Sequence, residues 1–428
     1  MTMKVGYIGL GALGSELAGR LSCVYPVCAW DINDAAMLRL RDRGASIMAS
    51  PEEIARNSDI VLLCLPRSED VRQVVFGPQG LAKGLGAGKL IIDQTSGHPE
   101  STRKIAEKLA LAGVSMIDAA VSGNPQVVSK GEATLMVGGS DVLYERVLPV
   151  LTAISEKVFR CGANVGDGQA MKMVNNAMNA ACRLGTLELA AMGVKAGLPL
   201  ECIIEVLNSG TARNPTTEVM LPAIAQGRSS TDFALSLMLK DINQAVMLGI
   251  TIGVSTPVIN AVQNLLQMGA NTLGGQARLE DMVGFMESAA GTKFRAGSAG
   301  ADVVDSRFED RGASGNAELA SLLNNAVTAL CETVTYEGTA LGFRFGLGLE
   351  ELSRVINISS GRSAASERIL PTLGKQMLQA DRQSQLTLAQ LQDVAKLAIT
   401  TGVPTTIFNT VRTVSEATVN PSESFTLR

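Results

Sequence analysis

The chain repeats part of itself. The segment MKMVNNAMNAAC at 171–182 returns as ASLLNNAVTALC at 320–331, and AGLPLECIIEVLNSG at 196–210 returns as FGLGLEELSRVINIS at 345–359. GVSTPVINAV at 253–262 returns as GVPTTIFNTV at 402–411. Asn175 aligns with Asn324, Gly197 with Gly346 and Gly253 with Gly402, a constant offset of 149 residues without a gap. Between 168–264 and 317–413 about 30 of the 97 aligned pairs are identical, which marks a duplicated unit rather than two similar helices. Apolar residues recur at helical spacing in both copies, as in ELASLLNNAVTALCETVTYEGTAL, so both are expected to be all-helical. Residues 291–315, GTKFRAGSAGADVVDSRFEDRGASG, are rich in Gly, Ala, Ser and charge and read as a linker.

Residues 4–160 have another rhythm. Short apolar runs at Lys4–Ile8, Val27–Trp30, Ile60–Cys64, Leu90–Asp93 and Ser115–Asp118 alternate with helical stretches such as Ser15–Ser22 and Ala35–Arg43. That alternation predicts a parallel sheet with helices on both faces. Directly after the first run stand Gly9, Gly11 and Gly14 in G-x-G-x-x-G spacing, with Ala12 and Leu13 inside the motif. Gly9 permits a tight turn, Gly11 removes a side chain where a pyrophosphate would approach, and Gly14 lets the helix pack closely. The helix N-terminus then offers free N–H groups and a positive dipole end. Asp31 ends the second run, where a carboxylate binds ribose hydroxyls and repels a 2′-phosphate, so NAD is expected over NADP. The expected fold is α/β: a Rossmann dinucleotide-binding domain at 1–164, a helical domain at 165–290, the linker 291–315, and a second helical domain at 316–428.

Composition removes several classes of function. Among 428 residues, 37 Lys+Arg against 41 Asp+Glu leave a net charge of −4, so no basic excess exists to neutralise a nucleic-acid backbone. Aromatics at 4 % also argue against base-stacking surfaces. The single histidine, His98, excludes a zinc site built on three histidines, and no metal is expected. Ile242–Ala277 carries no charge and is long enough to span a bilayer, but Pro257, several amides and repeated Gly read as buried helices broken at Gly253–Pro257. The N-terminal apolar run leads straight into the glycine motif, which removal of a signal peptide would destroy. Seven cysteines, an odd number without a CxxC pair, read as small buried hydrophobes in a reducing cytoplasm.

The repeat also acts as an internal control on the chemistry. Lys172 and Asn176 share one face of a long helix, and Lys240 and Asp241 lie in another. In the second copy Lys172 becomes Ser321, Lys240 becomes Ala389 and Asp241 becomes Gln390, while Asn175 and Asn176 persist as Asn324 and Asn325. Packing features survive duplication and both lysines do not, which points to a single-site role for them. A lysine whose ordinary pKa of about 10.4 is lowered by burial or by a second cation can take a hydroxyl proton.

These segments together resemble the β-hydroxyacid dehydrogenase family, which includes 3-hydroxyisobutyrate, tartronate semialdehyde and γ-hydroxybutyrate enzymes. The resemblance covers residue 3 to about 290, through VGYIGLGALG, LLCLPRSEDV, IIDQTSGHP, DAAVSGNPQVVSKGEATLMVGG, GDGQAMKMVNN and LKDINQA in order. It implies Lys172 as the catalytic lysine and Asn176 as its substrate-orienting neighbour. It also implies Ser122, Gly123 and Asn124 as a loop on the substrate carboxylate and Lys240 near both carboxylate and nicotinamide. Leu65, Pro66, Thr95 and Ser96 become cofactor contacts. Asn124 stands where the family often has a second glycine, and Thr95–Ser96 reverses the usual order. The implied activity is NAD-dependent oxidation of a small 3-hydroxy acid, or reduction of the matching semialdehyde. The extra helical domain is similar to that of 6-phosphogluconate dehydrogenase. That enzyme's motif, however, has a histidine where Asn175 stands and a glutamate where Asn179 stands, which argues against a decarboxylase. An imine reductase would usually replace Lys172, and a non-catalytic NAD-binding scaffold would have no use for both lysines. In short family members the helical domain packs on a partner chain. The fused copy is expected to take that place within one chain, with a homodimer through other surfaces also expected.

Overall fold

In the computed structural model, residues 3–295, 312–373 and 388–419 are described, so most of the expected linker, 296–311, lies outside the described residues. The runs rich in Val, Ile and Leu form one eight-stranded sheet. Its strands are β1 (Val5–Ile8), β2 (Val27–Trp30), β3 (Ser46–Ile47), β4 (Ile60–Leu63), β5 (Leu90–Asp93), β6 (Ser115–Ser122), β7 (Thr134–Gly138) and β8 (Val158–Gly162). The order is β3-β2-β1-β4-β5-β6-β7-β8. Helices α1 (Ala12–Ser22), α2 (Asp34–Arg41), α3 (Pro51–Asn57), α4 (Ser68–Phe76), α5 (Pro99–Ala110), α6 (Pro125–Ser129) and α7 (Asp141–Thr152) connect them. Ile60 and Leu62 of β4 sit in the core on one face while Val61 and Leu63 sit in the core on the other, which is why the strand is apolar throughout.

The sheet departs from the all-parallel expectation at its last two strands, β7 and β8, which run opposite to the other six. β6 runs on past Asp118 to Ser122, and β7 pairs with it antiparallel before β8 resumes parallel to β7. The connection 123–133 is shorter than the dozen or more residues that a parallel crossover needs, so β7 returns directly. β3, β7 and β8 lie outside the five expected strands; β3 is only two residues long.

The helical part consists of α8 (Asp167–Lys195), α9 (Leu200–Ser209), α10 (Leu221–Ala225), α11 (Leu235–Ile252), α12 (Pro257–Leu273) and α13 (Met282–Ala290). After these come α14 (Gly312–Phe345), α15 (Leu349–Ile356), α16 (Ala364–Leu373), α17 (Leu388–Thr401) and α18 (Thr406–Val419). The turn expected at Gly253–Pro257 is present: Gly253 adopts φ +70 after α11, and Pro257 opens α12. Among the described residues, α11 is the one helix long and apolar enough to cross a membrane, by length and composition. It buries Leu235, Met238, Ile242, Ala245 and Leu248 and packs on α12.

The chain forms two compact units: residues up to Lys172 together with Phe345–Val355, and Met173–Arg344 together with the described residues from Ile356 on. α15 therefore belongs with the sheet, where Arg354 donates to the Arg160 carbonyl of β8 at 2.9 Å and lies 5.8 Å from the Phe159 ring.

Inside the second unit the two copies meet through reciprocal contacts. Glu188 accepts from Ile407 N and Phe408 N at the start of α18, at 3.1 and 2.9 Å. Its counterpart Glu337 accepts from Val258 N and Ile259 N at the start of α12, at 2.9 and 3.1 Å. Arg213 donates to Glu367 and Arg362 to Glu218, both at 2.6 Å, and these too are exchanged counterparts. Cys182 and its counterpart Cys331 touch each other at 3.8 Å between Sγ atoms, as residues on a local two-fold axis do. None of the seven cysteines, all among the described residues, forms a disulfide, and the expectation that they are buried holds only for Cys161, Cys182 and Cys331; Cys23 is exposed and the others are half-buried.

Candidate active site

The loops at the C-terminal ends of the parallel strands gather most of the residues of interest. Sheet order reverses at β1 and β4, and open α/β sheets bind ligands at such a switch point. The glycine loop follows β1. Gly9 has φ +97, and a Cβ there would lie 2.2 Å from the Cys64 carbonyl oxygen. A Cβ on Gly14 would lie 1.9 Å from the Gly9 oxygen, whereas one on Gly11 would meet nothing within 4 Å. Two of the glycines are thus demanded by the protein's own packing, and the third leaves a space open beside the N-terminus of α1. No side chain caps that terminus, and Gly11 and Ala12 are exposed there. This cradle fits a dinucleotide pyrophosphate.

Asp31 follows β2. Its carboxylate accepts from Leu10 N at 2.5 Å and from Asn33 N at 2.7 Å, which ties it to the glycine loop. An ionised carboxylate has about four acceptor positions, so two backbone bonds leave room for ribose hydroxyls. After β4, Leu65 N donates to Thr95 Oγ1 at 3.1 Å, and Pro66 is exposed beside it. After β6, Asn124 caps α6 by accepting from Val127 N at 2.9 Å, with Ser122 half-buried and Gly123 exposed before it.

The start of α8, the helix that carries Lys172, is fastened to the sheet by buried acids. Asp118 of β6 accepts from Gly166 N at 2.5 Å and Gln169 N at 2.7 Å, so it caps the start of α8 from within the core. Burial pushes its pKa well up, against the pull of those two N–H bonds. Gln169 donates through Nε2 to Asp93 Oδ2 and to the Thr95 carbonyl, both at 3.1 Å. Burial raises Asp93 to about 6, its bonds to Thr95, Gln169 and Thr102 pulling the other way. Arg103 donates to the Val165 carbonyl at 2.8 Å and to Asp167 at 2.9 Å, and its guanidinium lies 4.7 Å from the Phe345 ring. On the helix so held, Lys172 is half-buried and donates from Nζ to Ser96 Oγ.

In the second unit Asn176 donates to Asp241 Oδ2 at 2.7 Å, and Lys240 pairs with Asp241 Oδ1 at 3.3 Å. Asn175 donates to Asn176 Oδ1 at 3.2 Å. Asn176 and Asp241 are buried, while the Lys240 side chain keeps 23 % of its surface. The first unit thus holds Gly9, Gly11, Ala12, Leu13, Gly14, Asp31, Leu65, Pro66, Thr95, Ser96, Ser122, Gly123, Asn124 and Lys172, and the second holds Asn176 and Lys240. Asp93, Asp118, Gln169 and Asn175 complete these networks. All four lie within motifs quoted above, Asp93 in IIDQTSGHP, Asp118 at the head of DAAVSGNP, and Gln169 and Asn175 in GDGQAMKMVNN, and that position was their only signal.

The chain as a whole is similar to several known proteins. The family model described as the NAD binding domain of 6-phosphogluconate dehydrogenase matches residues 4–162. The one described as NAD-binding of NADP-dependent 3-hydroxyisobutyrate dehydrogenase matches residues 166–286 and 315–423. The chain is 30 % identical over 299 residues to 2-(hydroxymethyl)glutarate dehydrogenase of Eubacterium barkeri, covering 69 % of this chain and 99 % of that one. It is 32 % identical over 282 residues to the probable mitochondrial 3-hydroxyisobutyrate dehydrogenase of Arabidopsis thaliana, covering 61 % of this chain and 81 % of the other. In fold it is similar to 6-phosphogluconate dehydrogenase of Plasmodium falciparum, with a TM-score of 0.73 and 16 % identity over 99 % of this chain and 94 % of that one. The chain belongs to the β-hydroxyacid dehydrogenase family. It is a dehydrogenase that uses a nicotinamide dinucleotide.

Proposed function

We propose that this dehydrogenase oxidises a small 3-hydroxy carboxylic acid, or reduces the corresponding semialdehyde, with NAD as cofactor and Lys172 as the general acid/base. The observation that carries the reading is Lys172 itself. It is the only one of the two aligned helix positions that kept an amine, and its Nζ bonds Ser96 Oγ beside the strand ends, on a helix start that Asp118 caps. In this reading the N-terminus of α1 and the space at Gly11 hold the pyrophosphate, and Asp31 holds the ribose hydroxyls. Leu65, Pro66, Thr95 and Ser96 line the path to the nicotinamide. When bound, the nicotinamide supplies the hydride acceptor or donor. Ser122, Gly123 and Asn124 and the Lys240 ammonium bind the substrate carboxylate, and Asn176 orients the hydroxyl. Lys172 takes the hydroxyl proton in oxidation and returns it in reduction.

A panel of 3-hydroxy acids assayed with NAD and with NADP tests the function. NAD should be preferred, and Asp31→Ser should weaken NAD binding while relaxing rejection of NADP. A wild type that prefers NADP overturns the role given to Asp31, and a panel that yields no NADH overturns the substrate class.

A further inference from the structure

The second copy lost its lysines, and its other work in this molecule is visible in one loop. Between α15 and α16, Ser360 accepts from Asn175 Nδ2 at 2.9 Å, and Gly361 N donates to Asn175 Oδ1 at 2.8 Å. Asn175 is fully buried, and with its bond to Asn176 both ends of its amide are used. The chain of contacts then runs through Asn176 to Asp241 and Lys240. The fit is tight as well as polar, since a Cβ on Gly361 would lie 2.8 Å from the Asn175 carbonyl oxygen.

The duplicate provides the control. Asn324 is the counterpart of Asn175, and the loop facing it comes from the first copy, where a Cβ on Gly210 would lie 2.1 Å from Asn324 Oδ1. There the network is unfinished: Asn324 Oδ1 is buried without a hydrogen-bond partner, and its bond to Asn325 is stretched to 3.4 Å. A contact needed only to join the two copies would be completed on both sides, as the Glu188 and Glu337 caps are. This one is completed only on the copy that carries Lys172 and Lys240.

We propose that Ser360 and Gly361 are positioning residues for the active site. The second copy uses them to lock the Asn175 amide, and Asn175 in turn fixes Asn176 and Asp241. The proposal rests on the role given above to Asn176. A buried amide with all its bonds made holds one rotamer, and a misplacement of about 1 Å in an orienting group can cost up to about 100-fold in rate.

The test uses the full-length chain and its Ser360→Ala, Ser360→Thr, Gly361→Ala, Asn175→Ala and Asn324→Ala variants. Readouts are kcat and KM for the hydroxy acid, NAD affinity, and hydrogen–deuterium exchange of peptides covering 173–182. Ser360→Ala should lower kcat/KM for the acid on the order of 10-fold, leave NAD affinity unchanged and speed exchange in 173–182, and Ser360→Thr should restore all three. Gly361→Ala should do more harm than Ser360→Ala, and Asn175→Ala should exceed Asn324→Ala in every readout. If Ser360→Ala leaves both exchange and kcat/KM within twofold of wild type, or if Asn324→Ala matches Asn175→Ala, the proposal is wrong. Should Gly361→Ala fail to fold, the Ser360 pair decides alone. Lys172→Ala retaining activity would instead break the catalytic reading, while the exchange result would still judge the lock by itself.

Discussion

In the first helical copy, positions 172, 240 and 241 are Lys, Lys and Asp; in the second, the same places hold Ser321, Ala389 and Gln390. Around the shared axis the copies are nearly interchangeable, with Glu188 capping α18 as Glu337 caps α12, and Arg213 reaching Glu367 as Arg362 reaches Glu218. The difference separates two selective demands on one ancestral helix set. Side chains that bury the copies against each other were retained in both. The two lysines proposed to act on a small molecule were retained once. Divergence within the chain therefore sorts packing from chemistry without any other sequence.

The sharpest way to break that sorting is to remove the amine on each side. Lys172→Ala should cost on the order of 10²–10⁴-fold in turnover, the usual range for a lost general acid/base, with NAD affinity nearly unchanged. Ser321→Ala, at the exposed counterpart position, should stay within about twofold of wild type. A Lys172→Ala enzyme that keeps more than a third of its activity removes that residue from the mechanism. Deleting 316–428 should be nearly as damaging by another route. It strips Glu188 of its partners and bares the apolar face against which α14 packs, so the truncated chain should aggregate or form a new dimer. A truncated chain that is monomeric and fully active by solution mass and assay would show that the copies do not need each other.

The reciprocal caps sharpen the comparison through pH. Burial raises Glu188 to about 8 and Glu337 to about 7, although each accepts backbone N–H bonds that pull the other way. The folded chain therefore keeps protons that the unfolded chain releases in the ordinary carboxylate range, near 4.3. Stability due to these groups is present at low pH and is lost as pH climbs toward 8, by up to a few kcal/mol. Buried Asp93 and Asp118 act in the same direction. Glu188→Gln and Glu337→Gln should each flatten the fall in melting temperature between pH 5.5 and 8, Glu188→Gln the more. If stability rises over that interval, or if only one variant responds, the caps are not equivalent.

What could be read from the residues alone follows a physical line. The repeat, the glycine motif and the break at Gly253–Pro257 are local signals, because a turn or a helix face needs particular residues at fixed short spacing. The lysines were legible because the duplicate lacked them. The partners across the copies were not legible. Glu188 and Glu337 are identical in alignment, yet nothing local says that each caps a helix 78 to 220 residues away. Asp118 lies inside an apolar strand and reads as its end, whereas the strand continues and the carboxylate caps α8. α15 follows helical spacing like its counterpart α9, but packs with the sheet through Arg354, a contact that depends on which surface the loop before it delivers it to.

The smallest effect expected separates charge from shape in the reciprocal loops. Arg213–Glu367 and Arg362–Glu218 have equal lengths of 2.6 Å, and all four side chains are between 24 % and 38 % exposed. Half-exposed pairs of this kind contribute at most about 1 kcal/mol, because water and salt screen them and two long side chains lose freedom. The two arginines are not equivalent, however. Arg213 also reaches Glu218 at 3.4 Å, so Arg213→Ala takes a partner from two carboxylates, while Arg362→Ala leaves Glu218 still paired. Arg213→Ala should thus lower the denaturant midpoint slightly more than Arg362→Ala. In about 1 M salt, where charges are screened beyond about 3 Å, the gap between them should close. A larger loss from Arg362→Ala, or a gap that salt leaves untouched, would mean that the fit of the loops, rather than their charges, keeps the two copies in register.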